Sequence, residues 1–254
     1  MSLTIWTQCG GKSNFRELSL DAWRVVEAEH MVATRKLVDS DEEQALLEDL
    51  IERAKPPLQR EPEFEGLHYL LATPFRYPPL RHGSRFGTRA ERGIFYSSET
   101  QRAAFAEVAY YRLLFLSGTT ADLVPMQLEL SAFQVAVRTA AGIDLTRPPF
   151  ADKEPILASP VSYTATQELG QEMRRDGVEA FRYVSARDRE RGINVALFSP
   201  RAFAARRPRV PETWFCVIAP DEVEFSKKDF FERRVLHFPS SDFVVDGRLP
   251  APAL

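Results

Sequence analysis

At 254 residues, with 44% hydrophobic and 27% charged side chains, the chain has ordinary globular composition, which sets aside disordered, collagen-like and coiled-coil classes. Thirty-three Lys and Arg against 36 Asp and Glu leave a net charge of −3, too balanced for a general polyanion binder. Two cysteines, Cys9 and Cys216, make no disulfide framework, and neither a secretion signal nor a membrane-length apolar run is present, so a cytoplasmic setting is expected.

Residues 19–54 read as two consecutive helices. Trp23, Val26, His30, Ala33 and Leu37 recur at helical spacing and predict one apolar stripe. Ser40 followed by Glu43 predicts a capping box opening the second helix, striped by Leu47, Leu50, Ile51 and Ala54 and stopped at Lys55-Pro56-Pro57. Residues 1–66 thus form an expected N-terminal helical arm, set off from a domain over 67–254. Packing on the main body is its expected use, and partner binding the alternative.

From Leu67 the elements shorten. Leu67 to Thr73 reads as a strand, and Pro74, Pro78 and Pro79 bracket a turn-rich stretch around Phe75-Arg76-Tyr77. Gly93 to Ser97 is a short β-prone run. Ser98 with Gln101 predicts a capping box for a helix running to about Leu116 and ending at Gly118. Val124, Met126, Leu128 and Leu130 alternate like a strand, as do Phe133, Val135 and Val137. A helix follows over Thr164–Arg175, then strands at Ala180–Val184, Asn194–Phe198, Trp214–Ala219 and Val235–Phe238. Interleaving without regular βαβ spacing predicts an α+β fold.

His30, His68, His82 and His237 are dispersed, and no CxxC, HExxH, GxSxG, GxxxxGK[ST] or GxGxxG pattern occurs. Metal, serine-hydrolase, P-loop and Rossmann chemistries are therefore disfavoured. Four arginines within Arg201–Arg209 could touch nucleic acid, but without interleaved aromatics they read as a solvated loop.

On the helix around residues 99–116, Ala103, Ala104, Val108, Tyr111 and Leu114 follow the helical period, and Glu107 falls among them. Arg102 and Arg112 are expected on the opposite side. A desolvated carboxylate is costly unless paired, so two readings stand side by side. One is a core ion pair with an arginine; the other is a carboxylate on the floor of a cleft, stabilising positive charge. Upstream, Arg76, Arg81 and Arg85 in RYPPLRHGSRFG offer guanidinium forks for phosphate, among glycines that let a backbone come close. A positive loop, a strand ending in Phe95-Tyr96 and then Glu107 suit a ligand with phosphates, an aromatic ring and a developing cation. A dinucleotide losing nicotinamide has all three, though composition and spacing do not identify it.

Arg76 in PFRY, Arg85 in GSRFG, Tyr96 in GIFYSS, Glu107 in AFAEV and Ser185 in YVSARD resemble the RES domain, with Arg85, Tyr96 and Glu107 spaced eleven residues apart. The resemblance spans about residues 67–200. It implies an ADP-ribosyltransferase-like mixed sheet with flanking helices, in a toxin of a bacterial type II toxin–antitoxin module that consumes NAD+ as co-substrate without a metal. Some members transfer ADP-ribose to a protein, others hydrolyse or phosphorolyse NAD+. The implied partners are an Xre/ParS-like antitoxin, through which alone nucleic acid would be met, and a protein acceptor of ADP-ribose. In the implied mechanism Arg76 and Arg85 hold pyrophosphate and ribose, Tyr96 packs by the nicotinamide ring, Ser185 bonds the ribose or amide, and Glu107 offsets the developing cation. The arm before the domain, about 60 residues, exceeds that of compact members and would favour a protein acceptor. Mono-ADP-ribosylation of a protein is the leading expectation, with NAD+ glycohydrolase or phosphorylase activity the alternative.

Overall fold

The computed structural model describes residues 3–28, 38–56, 61–77, 79, 82–120 and 125–251. Its strands are β1 (Arg16–Glu27), β2 (Phe95–Ser98), β3 (Met126–Asp144), β4 (Ala180–Val184), β5 (Ile193–Leu197), β6 (Glu212–Ile218), β7 (Glu222–Lys227) and β8 (Val235–Pro239). They pair in the order β1-β2-β5-β4-β3-β6-β7-β8, and β1 also pairs with β3. That extra pairing closes a circuit through β1, β2, β5, β4 and β3, from which β6, β7 and β8 extend as an antiparallel wing. The β3–β4 pair is parallel, so the sheet is mixed. The α-helices are α1 (Ile5–Gln8), α2 (Asp41–Ala54), α3 (Tyr69–Arg76), α4 (Gln101–Ser117), α5 (Glu154–Leu157) and α6 (Thr164–Arg175), and the class is α+β as expected.

The helix expected from residue 19 is replaced by β1. Trp23 and Val26 fit a helical period, but Leu18, Leu20 and Ala22 also alternate, and Leu18 and Ala22 are buried. A continuous antiparallel partner decides between the two patterns: β1 runs along β3 from Leu18↔Thr139 to Glu27↔Leu130. The N-terminal segment is therefore built into the sheet rather than set off as a helical arm. His30, Ala33 and Leu37 lie outside the described residues. The second expected helix does form as α2. Ser40 Oγ accepts from Glu43 N (3.1 Å), while the Glu43 carboxylate reaches back to Asp39 N (2.8 Å), one residue earlier than a standard box.

Leu67–Thr73, expected as a strand, instead leads into α3. His68 Nδ1 accepts from Leu70 N (3.3 Å) at its start, and Leu71 and Phe75, one turn apart, are buried. Short apolar runs fit either period, and here the buried i, i+4 pair decides. The cap of α4 is Thr100, whose Oγ1 accepts from Ala103 N (3.2 Å), not Ser98, whose hydroxyl is used elsewhere. Residues 126–144 form one strand where two were expected, β7 adds a strand the sequence reading passed over, and Val124 lies outside the described residues.

Phe105, Ala106, Ala109, Tyr110 and Leu113 of α4 pack against Trp214, Cys216, Phe225 and Phe238, with the Phe105 ring 4.7 Å from Trp214 and 4.6 Å from Phe225. Each such large side chain contributes about 1.5–3 kcal/mol through burial. A second cluster joins Leu169 and Met173 of α6 to Phe86, Phe181 and Tyr183, and a third joins β1 and α3 through Leu18, Leu71, Phe75 and Phe95. The Arg201–Arg209 loop is tied down by acids: Arg201 pairs with Glu63, and Arg209 with Asp21. Among the described residues no helix is long and apolar enough to cross a membrane.

Candidate active site

The buried stripe of α4 runs through Ala103, Ala106, Ala109, Tyr110 and Leu113. Glu107, Val108, Tyr111 and Arg112 occupy the adjoining stripe and wall a cleft of about 380 Å³, together with residues of β1, β2 and β5. Glu107 is thus half-buried at the edge of the core face rather than at its centre. Arg112, expected on the far side of the helix, lines this cleft and is ion-paired with Glu27.

Glu107 Oε1 accepts two hydrogen bonds, from Ser185 Oγ (2.7 Å) and from Asn194 Nδ2 (2.6 Å). Oε2 accepts none from the described residues, and no Arg or Lys among them forms an ion pair with this carboxylate. Of the two sequence readings, the core ion pair is therefore the one the structure removes. One oxygen is clamped by neutral donors, and no cation among the described residues is paired with the carboxylate.

The clamp is itself held. Ser98 Oγ of β2 donates to Asn194 Oδ1 (2.7 Å) on β5, which turns the amide nitrogen towards Glu107. Ser185, just after β4, accepts from the backbone N–H groups of Arg187 and Asp188 (both 3.1 Å) and is 3% exposed. It is not among the residues that line the cleft, and it donates to Glu107 from behind the wall. Asn194 was missed by sequence reasoning. The available signal was an amide in an otherwise apolar strand, Ile193-Asn194-Val195-Ala196-Leu197.

Arg85 and Tyr96 line the same cleft as Glu107. Arg85 is buried, with Nη1 donating to Leu157 O (3.3 Å) and Ser159 O (2.8 Å) and its guanidinium 4.6 Å from the Tyr163 ring centre. The Tyr96 hydroxyl donates to Ser84 Oγ (3.0 Å) and accepts from Phe86 N (3.1 Å), which fixes the loop that presents Arg85. Arg76 is not brought to the cleft. At the end of α3 it donates from Nε to Pro56 O (2.6 Å) and lies over the Tyr77 ring, because a helix rather than a turn carries it. Arg81 lies outside the described residues.

A further cleft residue was hidden by the helical reading of residues 19–37. Arg24 of β1 donates from Nη1 to Tyr96 O (2.5 Å) and stacks 4.8 Å over Phe95. Desolvation pulls its pKa down to about 10. No three His, Cys, Asp or Glu side chains among the described residues come together as metal ligands would.

Burial pushes Tyr96 and Tyr110 from 10.0 up to about 12, and Cys216 from 9.0 to about 12. A group whose pKa is raised by folding lends stability that is complete below its unfolded pKa and is lost as pH climbs through the folded value. Stability is therefore expected to hold through neutral pH and to fall between about pH 9 and 12. Urea midpoints at pH 8 and pH 11 check this, with Tyr96→Phe showing the shallower decline. Equal midpoints at the two pH values would contradict it.

A family model described as the RES domain matches residues 57–218. The chain belongs to the RES-domain family. RES-domain proteins are associated in general with NAD+-acting enzymes. In this RES-domain protein the matched segment contains Arg85, Tyr96, Glu107, Ser185 and Asn194, and it ends with the last residue of β6. β1, β7 and β8 lie outside it. Among curated proteins none matches the chain.

Proposed function

We propose that this RES-domain protein cleaves the bond between nicotinamide and ribose in NAD+ and passes the ADP-ribose to a protein acceptor. One observation carries the reading: Glu107, clamped at Oε1 by neutral donors, shares a cleft with Arg85 and Tyr96. The residues fit such a substrate. Guanidinium groups suit its phosphates, aromatic rings suit its bases, and an ionised carboxylate suits the positive charge that grows on the ribose as the glycosidic bond lengthens.

Nicotinamide departs from a cationic ring nitrogen, so no general acid is required, and one carboxylate suffices. Glu107 would offset the growing charge and take the proton from the incoming nucleophile. Arg85 would grip phosphate, Tyr96 would flank the ring, and Ser185 and Asn194 would keep Glu107 aimed. The same reading makes the protein a cytoplasmic growth-inhibiting toxin held in check by an Xre/ParS-like antitoxin, with nucleic acid reached through that partner. The family membership supports it.

Incubation with labelled NAD+ and cell extract tests the reading. Free nicotinamide together with label fixed on one protein band is the expected result. Free ADP-ribose or its 1-phosphate without labelled protein would replace transfer by hydrolysis or phosphorolysis, and no nicotinamide release at all would remove the NAD+ reading.

A further inference from the structure

β1 lies wholly before the family-matched residues, yet it supplies Trp23, Arg24 and Val25 to the cleft that holds Glu107. It pairs with β2 only at Trp23↔Ser98, while it follows β3 as far as Leu130. Past Trp23 the two strands part, and a side chain spans the gap: Arg24 Nη1 bonds the Tyr96 carbonyl of β2. Arg24 also lines a second cleft of about 420 Å³, walled by Val26, Leu70, Thr73, the rings of Tyr69 and Tyr77, and Glu27, whose carboxylate is paired with Arg112. Arg24 is the residue common to both walls.

Three features describe what would fill this second space. The first is charge. Arg112 has Glu27 and Arg102 has Glu190, whereas Arg24 has no carboxylate in ion-pair range among the described residues, and its Nε is buried without an acceptor. A guanidinium left this way gains most from an anion whose oxygens match its fork, as phosphate oxygens do. The second is surface. Tyr69 is 54% exposed and Tyr77 37%; His68 lies against one ring and Arg76 over the other, which leaves each ring its opposite face to offer a planar heterocycle. The third is size. Small-molecule sites occupy roughly 300–1,000 Å³, so clefts of about 380 and 420 Å³ each suit part of a dinucleotide better than the whole.

We propose that Arg24 binds the pyrophosphate of a dinucleotide that straddles it, with the adenosine half in the Tyr69–Tyr77 cleft and the nicotinamide half beside Glu107. The nicotinamide side of this arrangement rests on the NAD+ reading above; the adenosine side rests on Arg24 and the second cleft. The segment ahead of the family-matched residues is then part of the substrate site, not an appendage to it.

The test is equilibrium binding of ADP, which carries the adenosine and both phosphates but no nicotinamide, to the full-length protein by calorimetry. ADP is expected to bind wild type and Glu107→Gln equally. Arg24→Gln should weaken it roughly tenfold or more, and Tyr69→Ala or Tyr77→Ala by about 5–100-fold, as loss of a stacked base does. Arg24→Lys, which keeps the charge and loses the fork, should fall between. Tyr69 is exposed, so its variant keeps the test sound even where Arg24→Gln disturbs β1. Failure of wild type to bind ADP, or equal affinity in wild type, Arg24→Gln and Tyr69→Ala, overturns the proposal, whether or not nicotinamide is released. The expected ADP pattern without NAD+ turnover would instead uphold the adenosine site and remove the NAD+ reading.

Discussion

Glu107→Gln is expected to slow nicotinamide release from NAD+ by about 10²–10³-fold, the usual cost of losing one charge-stabilising group. Glutamine keeps the shape of the side chain and an oxygen for Ser185 Oγ and Asn194 Nδ2, the two donors at 2.7 and 2.6 Å. What it lacks is the negative charge. The substitution therefore separates electrostatic stabilisation from packing, and its urea midpoint should stay near that of wild type. Ser185→Ala supplies the graded comparison. It removes one of the two clamps and leaves the charge, so its turnover should fall less and recover in part in Ser185→Thr. Unchanged turnover in Glu107→Gln would take this carboxylate out of the mechanism.

Gly170→Ala is expected to destabilise the protein by roughly 3 kcal/mol, the upper part of the usual overpacking range. Helix propensity alone points the other way, favouring alanine by about 1 kcal/mol within a helix such as α6. Sterics wins because a methyl group at this position would run into the Phe86 carbonyl oxygen and lie 2.8 Å from its carbon. These are backbone atoms and cannot swing away. The loop that would have to move carries Arg85, so KM for NAD+ should rise along with the loss of stability. Urea unfolding followed by fluorescence gives the first quantity, and initial rates the second. A variant as stable as wild type would show that helix and loop do not meet this closely.

Local patterns were legible wherever the deciding partners are near in sequence or the period is unambiguous. Arg174 and Arg175 as basic residues of a last turn, with Gly177 behind them, placed α6 over Thr164–Arg175. A lone acid between alanines on an apolar helix drew attention to Glu107. Patterns settled by distant partners were not legible. Trp23 and Val26 satisfy a helical period, and only β3, more than a hundred residues on, turns them into a strand. With that strand went Arg24. Asn194 became meaningful only when Ser98 was seen to orient its amide. Arg76 belongs to a motif that suggested phosphate binding, yet α3 directs it to Pro56 instead.

The pairing of residues 16–27 with residues 130–142 also bears on when the cleft comes into being. Contacts between such remote stretches form slowly, because a long loop must close before they repay its entropy. A growing polypeptide would hold its first strand idle until β3 has been synthesised, and Asn194 arrives later still. Fragments released before that point would carry Glu107 without its amide clamp. The clamp on Glu107 thus takes shape only after β5 has been added to the chain.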